Sequence, residues 1–279
     1  MRVLPREIQE HYLRGEESQR LSSNRGELER LRTQAILTRE LPSAPAVVFD
    51  IGGGAGVHAF WLAQQGYQAH LLDLVELHLE QARSHAAASG VRLASIVSGD
   101  ARALGIASGV ADAVLLLGPL YHLTEHLDRI QALREARRIL RPQGVLLAAA
   151  ISRFASLIDG LSSGFFHDPT FREIVAADLN SGQHRNPTNN PLYFTTAYFH
   201  RPEELAGELK EAGFGKIRVL AVEGPAWDAS RFPKVWSDPG QRKQLMGFLS
   251  LIEGEPSIQG ASAHLIAVAA PREQLPRAE

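Results

Sequence analysis

Short apolar runs and stretches of helical periodicity take turns along this chain. The run over 47–51 breaks at a glycine-rich turn and is followed by a helical segment over 57–65, and a second run over 68–72 leads to a helical segment over 74–89. A third run covers 93–97. Residues 111–117 are apolar almost without interruption, the pattern of a central strand buried on both faces. Over 125–140, Leu127, Ile130, Leu133, Ala136 and Leu140 share one helical face, and Arg141-Pro142-Gln143-Gly144 then turns the chain into the run 145–150. Strands alternating with helices predict an α/β fold built on a doubly wound, mostly parallel sheet.

The flanks are less regular. Residues 5–40 hold two helical stretches on either side of Ser22-Ser23-Asn24, a capping sequence, and Leu28, Leu31, Ala35 and Leu37 give the second an apolar face. An appendage ahead of the first strand is expected over the carboxyl edge of the sheet, where ligands of such folds lie. Residues 152–202 carry no convincing strand of the central sheet. They gather Phe165, Phe166, Tyr193, Phe194, Tyr198 and Phe199, a composition expected of a cover over a site. A helix over 203–214 and a sixth strand over 216–222 follow; a second insertion then carries Trp227, Phe232, Trp236 and a helix around 245–252, before a seventh strand over 263–269. The expected division is a helical lid over 1–42, a ligand-binding core over 43–151, a lid insertion over 152–202, the rest of the core over 203–270 interrupted at 224–262, and a tail over 271–279.

The turn after the first strand reads Asp50-Ile51-Gly52-Gly53-Gly54-Ala55-Gly56. Glycines at the carboxyl end of a parallel strand let backbone N–H groups and a helix start approach a ligand that any Cβ would push away. The dinucleotide fingerprint Gly-x-Gly-x-x-Gly requires its third glycine where this chain has Val57. Gly52, Gly54 and Gly56 instead form Gly-x-Gly-x-Gly. With Asp50 in front, this resembles the first motif of the class I S-adenosylmethionine (SAM)-dependent methyltransferases.

Three further features keep that resemblance in order along residues 46–151. Asp73 ends the second strand, where a carboxylate can accept both hydroxyls of a ribose. The third strand closes at Ser98-Gly99-Asp100-Ala101, and Arg138-Ile139-Leu140-Arg141-Pro142-Gln143-Gly144 resembles the family's turn into strand five, with Gln143 in place of a frequent second glycine. The resemblance implies a Rossmann-like sheet of about seven strands, the last antiparallel beside the fifth. It implies SAM as cofactor, with S-adenosylhomocysteine as product. It places Asp50, Gly52, Gly53, Gly54, Gly56, Asp73, Leu74, Asp100, Ala101 and Leu117 around the cofactor, with Asp100 on the adenine amino group and the Ala101 N–H toward the ring.

Methyl transfer from a sulfonium is an in-line displacement with a neutral leaving group, so positioning and exclusion of water dominate. A base is needed only when the acceptor must lose a proton, and Tyr121 and His122, after strand four, are the candidates beside the reactive methyl. The competing reading of His122 is an ordinary structural histidine, and of Asp73 a helix cap. In the amino-terminal lid, Tyr12, Arg20 and Arg32 are candidates to close over the methionine end of SAM, where an Arg could pair its carboxylate.

Composition narrows the partners. A net charge of −2 and a pI near 6.6 give no global basic field for nucleic acid, and the strand-four sequence Gly118-Pro119-Leu120-Tyr121 is unlike the Asn/Asp-Pro-Pro-aromatic loop of base-amine methyltransferases. The absence of cysteine rules out disulfides, thiolate metal sites and a cysteine nucleophile. With no signal peptide pattern and no apolar run of spanning length, a cytoplasmic protein acting on a small organic acceptor is expected, with no metal. RNA or protein methylation and a noncatalytic SAM-binding module are the alternatives. Two other patterns compete: His122-Leu123-Thr124-Glu125-His126 matches an inverted zinc-peptidase helix, and Gly160-Leu161-Ser162-Ser163-Gly164 matches a hydrolase nucleophile elbow. The first follows a buried strand and Pro119, which leaves little room for one helix. The second has helical spacing upstream where an elbow requires a strand.

Overall fold

The computed structural model describes residues 5–13, 23–188 and 190–272. Its central sheet is β1 (Val47–Ile51), β2 (Gln68–Asp73), β3 (Ser95–Ser98), β4 (Ala111–Leu116) and β5 (Leu140–Ser152), all parallel in the order β3-β2-β1-β4-β5. Beside β5 lies β9 (His264–Pro271), antiparallel to it, and beside β9 lies β8 (Phe214–Ala221), again antiparallel. This is the mixed Rossmann-like sheet that the sequence predicts. Reversal of strand order around β1 and β4 opens the crevice at the carboxyl edge where such folds bind ligands.

Because side chains alternate across a strand, each run feeds two cores. From β4, Val114 and Leu116 face a layer made with α6 (His126–Ile139) and α9 (Pro202–Glu211), whereas Ala113 and Leu115 face α2 (Asn24–Glu40), α3 (Val57–Gln64) and α4 (Glu76–Ser89). Leu115 and Leu116 are both fully buried, worth roughly 1.5–3 kcal/mol each relative to exposure. Helices on both faces thus explain why β4 reads as a continuous apolar run rather than an alternating one.

Two expectations change. Residues 152–202 do contribute to the sheet: β7 (Ala197–His200) pairs in parallel with Ile151 and Ser152, and β6 (Gln183–His184) pairs antiparallel with β7. The reason lies in β4, which ends at Leu116 before Gly118 and Pro119 start the short helix α5 (Pro119–His122), leaving the last residues of β5 an unpaired flank. The turn expected at 141–144 is instead a bulge inside one long strand. Ala111 pairs with Leu140 but Ala113 with Val145, and Arg141 ion-pairs with Asp112 across the gap.

Of the expected lid pieces, the amino-terminal helices line the cleft through Ile8, Tyr12, Glu29 and Thr33, whereas no described residue of the insertions 152–202 and 224–262 does, so their aromatics do not form its wall. Ser23 caps α2 by accepting from the Gly26 N–H at 3.1 Å, and α1 (Arg6–Leu13) precedes it. The second insertion forms α10 (Phe232–Ser237) and α11 (Pro239–Ile252), whose Phe232, Trp236 and Leu249 bury Leu28 of α2. Among the described residues, no helix is long and apolar enough to cross a membrane.

Candidate functional site

Local backbone geometry builds one half of the cleft. Gly52, Gly54 and Gly56 all have positive φ, and a Cβ on Gly53 would stand 2.5 Å from Asp50 Oδ2 and 2.6 Å from Leu71 Cδ1. The loop therefore admits no side chain at Gly53. Asp73 ties this loop to the next helix. Its Oδ2 accepts from the Gly54 N–H at 2.8 Å, and its Oδ1 accepts from the Val75 N–H at 2.8 Å and lies 3.2 Å from Nδ1 of His78. The capping reading of Asp73 fails: the next helix has Val75 as its N-cap and no side-chain cap, and the Val75 contact is a local turn that leaves lone pairs of Asp73 for a ligand.

Asp50 is the electrostatic anomaly. The residue is 1% exposed, and among the described residues neither carboxylate oxygen has a hydrogen bond of normal geometry; the Ala59 backbone N–H offsets its burial only in part. Burial, then the neighbouring Asp73 charge, push its carboxyl up to about 7. A buried, unpartnered carboxyl on the wall of a cleft is a place for a cationic ligand.

The cleft brings together most of the residues singled out in the sequence. Asp50, Gly52, Gly53, Gly54, Asp73, Leu74, Asp100, Ala101, Leu117, Tyr121 and His122 all line it. Asp100 is gripped by Arg102, Oδ2 to Nη2 at 2.7 Å, and Arg102 also reaches Asp128 at 2.8 Å, so the carboxylate is held in place by a cation behind it. Gly56 is a correction. It does not line the cleft; at φ 86 it starts α3, and a Cβ there would meet Leu71 and Phe60 at 3.0 and 3.1 Å. Its role is to let helix and strand pack. Arg32 is another correction: fully buried, it donates to Val222 O at 2.9 Å and Ser250 Oγ at 2.7 Å and pairs with Glu253, and it does not line the cleft. Arg20 lies outside the described residues.

Tyr12, on α1, closes the cleft from above. Its hydroxyl is 2.5 Å from Nε2 of His122, and its ring meets His122 and His78 edge-on at 5.3 and 5.2 Å. Nδ1 of His122 faces the Thr196 carbonyl at 3.3 Å. A carbonyl only accepts, so Nδ1 carries the hydrogen and Nε2 accepts from Tyr12. The nitrogens are enclosed, and burial holds the ring down at about 4, with a weaker push from His11, so it is neutral near pH 7. Glu7 docks α1, its carbonyl accepting from Thr195 Oγ1 and its carboxylate from Thr196 Oγ1, each at 3.1 Å.

Both competing patterns dissolve in the fold. His122 ends α5 and His126 begins α6, where it contacts Glu208 and Glu211, so the two histidines do not share a helix face. Ser162 lies near the end of the helix α7 (Ala155–Ser163), ten residues past the last residue of β5, and not at a strand-to-helix turn. Sequence reasoning missed His78, one turn past Asp73, and three groups at the far end of the cleft, Glu29, Thr33 and His264. His58 also lines the cleft, its Nδ1 buried and without a partner among the described residues, and burial lowers it to about 4.

Residues 48–144 match the family model described as a methyltransferase domain. The chain belongs to the class I SAM-dependent methyltransferases, and SAM is its methyl donor. It is 30% identical over 200 residues to the ubiquinone/menaquinone biosynthesis C-methyltransferase UbiE of Paracoccus denitrificans, covering 69% of this chain and 76% of that protein. It is also 26% identical over 191 residues to a ubiquinone biosynthesis O-methyltransferase of Xylella fastidiosa, covering 68% and 70%. A SAM-dependent methyltransferase of Thermotoga maritima, described as a possible histamine N-methyltransferase, shares the fold with a TM-score of 0.58 at 17% identity, over 95% of this chain and 99% of that one. The orphaned Asp50 carboxyl and the side-chain-free cradle at Gly53 fit a ligand that is both cationic and closely wrapped by backbone.

Proposed function

We propose that this enzyme methylates a small aromatic acceptor of the phenol or quinol kind, beneath a cover closed by α1, with Tyr12 and His122 as the route by which the acceptor loses its proton. The observation that carries the reading is the 2.5 Å contact between Tyr12 and the neutral His122 at the mouth of the cleft. Support for the acceptor class comes from the relatives, one named as a C- and the other as an O-methyltransferase of quinone biosynthesis. Either product requires a phenolic acceptor to give up a proton.

In this reading Asp73 accepts from the ribose, Asp100 and the Ala101 N–H face the adenine, and Asp50 lies toward the positive charge, while Leu74 and Leu117 supply apolar wall. Bound SAM supplies a methyl on a sulfonium whose leaving thioether is neutral, so no protein acid is required. The chain's own work is to orient, to exclude water and to move one proton. Tyr12 Oη takes the acceptor's proton as its own passes to Nε2 of His122, and the Thr196 carbonyl holds the resulting imidazolium through Nδ1–H. Tyr121, edge-on to His122 at 4.7 Å, shapes the wall beside this route.

The test offers the full chain with radiolabelled SAM to a metabolite extract and to separate panels of hydroquinones, amines and RNA. Label in phenolic products is expected, with Tyr12→Phe slowing transfer and leaving SAM affinity unchanged. Label confined to amines or RNA would refute the acceptor class.

A further inference from the structure

Phe194 follows the short turn Pro191–Tyr193 with φ 62 and ψ −168, a region of backbone space essentially confined to glycine. Glycine would take that conformation without strain, so the phenyl ring is carried there against the preference of the backbone. Its neighbours hold the turn. The Phe194 N–H donates to the Pro191 carbonyl at 3.3 Å, and its carbonyl accepts from Asn186 Nδ2 at 2.7 Å, which also reaches the Asn190 carbonyl at 2.9 Å. Beside it His184 is fixed between the Tyr193 carbonyl, 2.8 Å from Nε2, and both carboxylate oxygens of Asp178 in α8 (Pro169–Ser181), 3.0 Å from Nδ1. His184 and Asp178 are both buried.

From this turn, three consecutive residues reach the elements that close the cleft. The Thr195 and Thr196 hydroxyls donate to Glu7 of α1, and the Thr196 carbonyl faces Nδ1 of His122 at 3.3 Å. The Phe194 ring stacks offset on that of His122, centroids 6.0 Å apart and planes 27° apart, and meets His11 of α1 edge-on at 5.3 Å and Tyr121 at 6.4 Å. Phe194 does not line the cleft, so whatever it does there is done through His122. With the Thr196 carbonyl at Nδ1 and the Tyr12 hydroxyl at Nε2, a flip of the imidazole would put a carbon where each nitrogen stands and lose both contacts.

We propose that Phe194 is a positioning residue for methyl transfer: the strained turn lays its ring on the His122 imidazole and so keeps Nδ1 on the Thr196 carbonyl and Nε2 toward Tyr12. This rests on the proton route assigned above to Tyr12 and His122 and adds the residue that holds its geometry. The strain then has a use, since the same backbone conformation aims the phenyl ring at His122 and the next two residues at α1. Facing His122 are His11 and Tyr12 of α1, Tyr121 of α5 and Asp73 at the end of β2. Burial acts on the ring most strongly; His11 disfavours its proton and Asp73 favours it. Removing the phenyl ring would admit water and leave those charges in place.

The experiment follows the histidine ring nitrogens of the full chain, saturated with S-adenosylhomocysteine, by nuclear magnetic resonance through a pH titration, the His122 signals being assigned by their loss in His122→Gln. Wild type is expected to titrate at about 4, with the hydrogen of the neutral ring on Nδ1. Phe194→Gly, which suits the backbone and removes the ring, should raise that midpoint by about one pH unit or more, a tenfold change in proton affinity, and mix the two tautomers at unchanged S-adenosylhomocysteine affinity. Phe194→Ala should do the same and serves where the glycine variant fails to fold. Phe194→Leu, which restores bulk over the imidazole, should bring the midpoint back to within about half a unit of wild type. A wild-type midpoint and tautomer in Phe194→Gly or Phe194→Ala, or a Phe194→Leu that restores neither, overturns the proposal. The titration needs no acceptor, so its failure is separate from that of the proton route, which turnover of Tyr12→Phe tests.

Discussion

The two halves of the cleft are made in different ways. Around the glycine loop the decisive contacts are short in sequence: Gly54 to Asp73 spans 19 residues, and Arg102 to Asp100 only two. Over the half that carries His122 they are long: Tyr12 to His122 spans 110 residues and Thr196 to Glu7 189. The first half is a strand-loop-helix device that positions backbone. The second is a set of side chains held only when distant segments meet. Damage to the first should appear in SAM affinity, and damage to the second in turnover.

Asp50 carries the largest expected effect that would sharpen this contrast. Its folded pKa of about 7 lies above the unfolded value of 3.8, so the stability tied to its proton is present below pH 3.8 and lost as pH rises through 7, about 4 kcal/mol in all. Asp50→Asn should flatten that loss, giving a higher melting temperature than wild type at pH 8 and a similar one at pH 4, while weakening SAM. A melting series with no pH-dependent gap between the two proteins would refute the account of the orphaned carboxyl.

Gly53→Ala comes next. The added methyl meets Asp50 and Leu71 well inside contact distance, and SAM affinity should fall about 100-fold, roughly 2.7 kcal/mol, by calorimetry. Asp73→Ala should cost at least about tenfold, roughly 1.4 kcal/mol, with the fold kept, because one carboxylate is lost but the cradle remains. The smallest effect belongs to the cover: Tyr12→Phe should slow turnover about fivefold, roughly 1 kcal/mol, at unchanged SAM affinity. At saturating SAM, the wild-type rate should show no titration that belongs to His122 between pH 7 and pH 5, since His122 stays neutral down to about 4, and any step near pH 7 should vanish in Asp50→Asn. If Tyr12→Phe lost SAM affinity and Asp73→Ala did not, the division between the halves would be reversed.

That division also explains what could be read before the fold was seen. The sheet, the glycine loop, Asp73 and Asp100 were legible because apolar runs, turn glycines and strand-end acids are local patterns. Gly56 was read as a ligand contact because positive φ and close packing put the same residue type in a sequence as backbone approach does. Strand β7 was hidden because its only reason to be extended is the flank of β5 left bare where β4 turns at Pro119. His264 and Glu223 were invisible for a similar reason: their 41-residue separation has no periodic signature, and only the antiparallel return of β9 brings them together.

The buried guanidinium of Arg32 has a consequence for how the enzyme comes into being. Its partners Val222, Ser250 and Glu253 leave the ribosome long after it does, and Glu253 also binds Arg39 at 2.5 Å. During synthesis the amino-terminal helix must therefore wait, its basic side chain in water, until nearly the whole polypeptide has emerged. Translation thus delivers the glycine-loop strands first and the partners that lock α2 in place last.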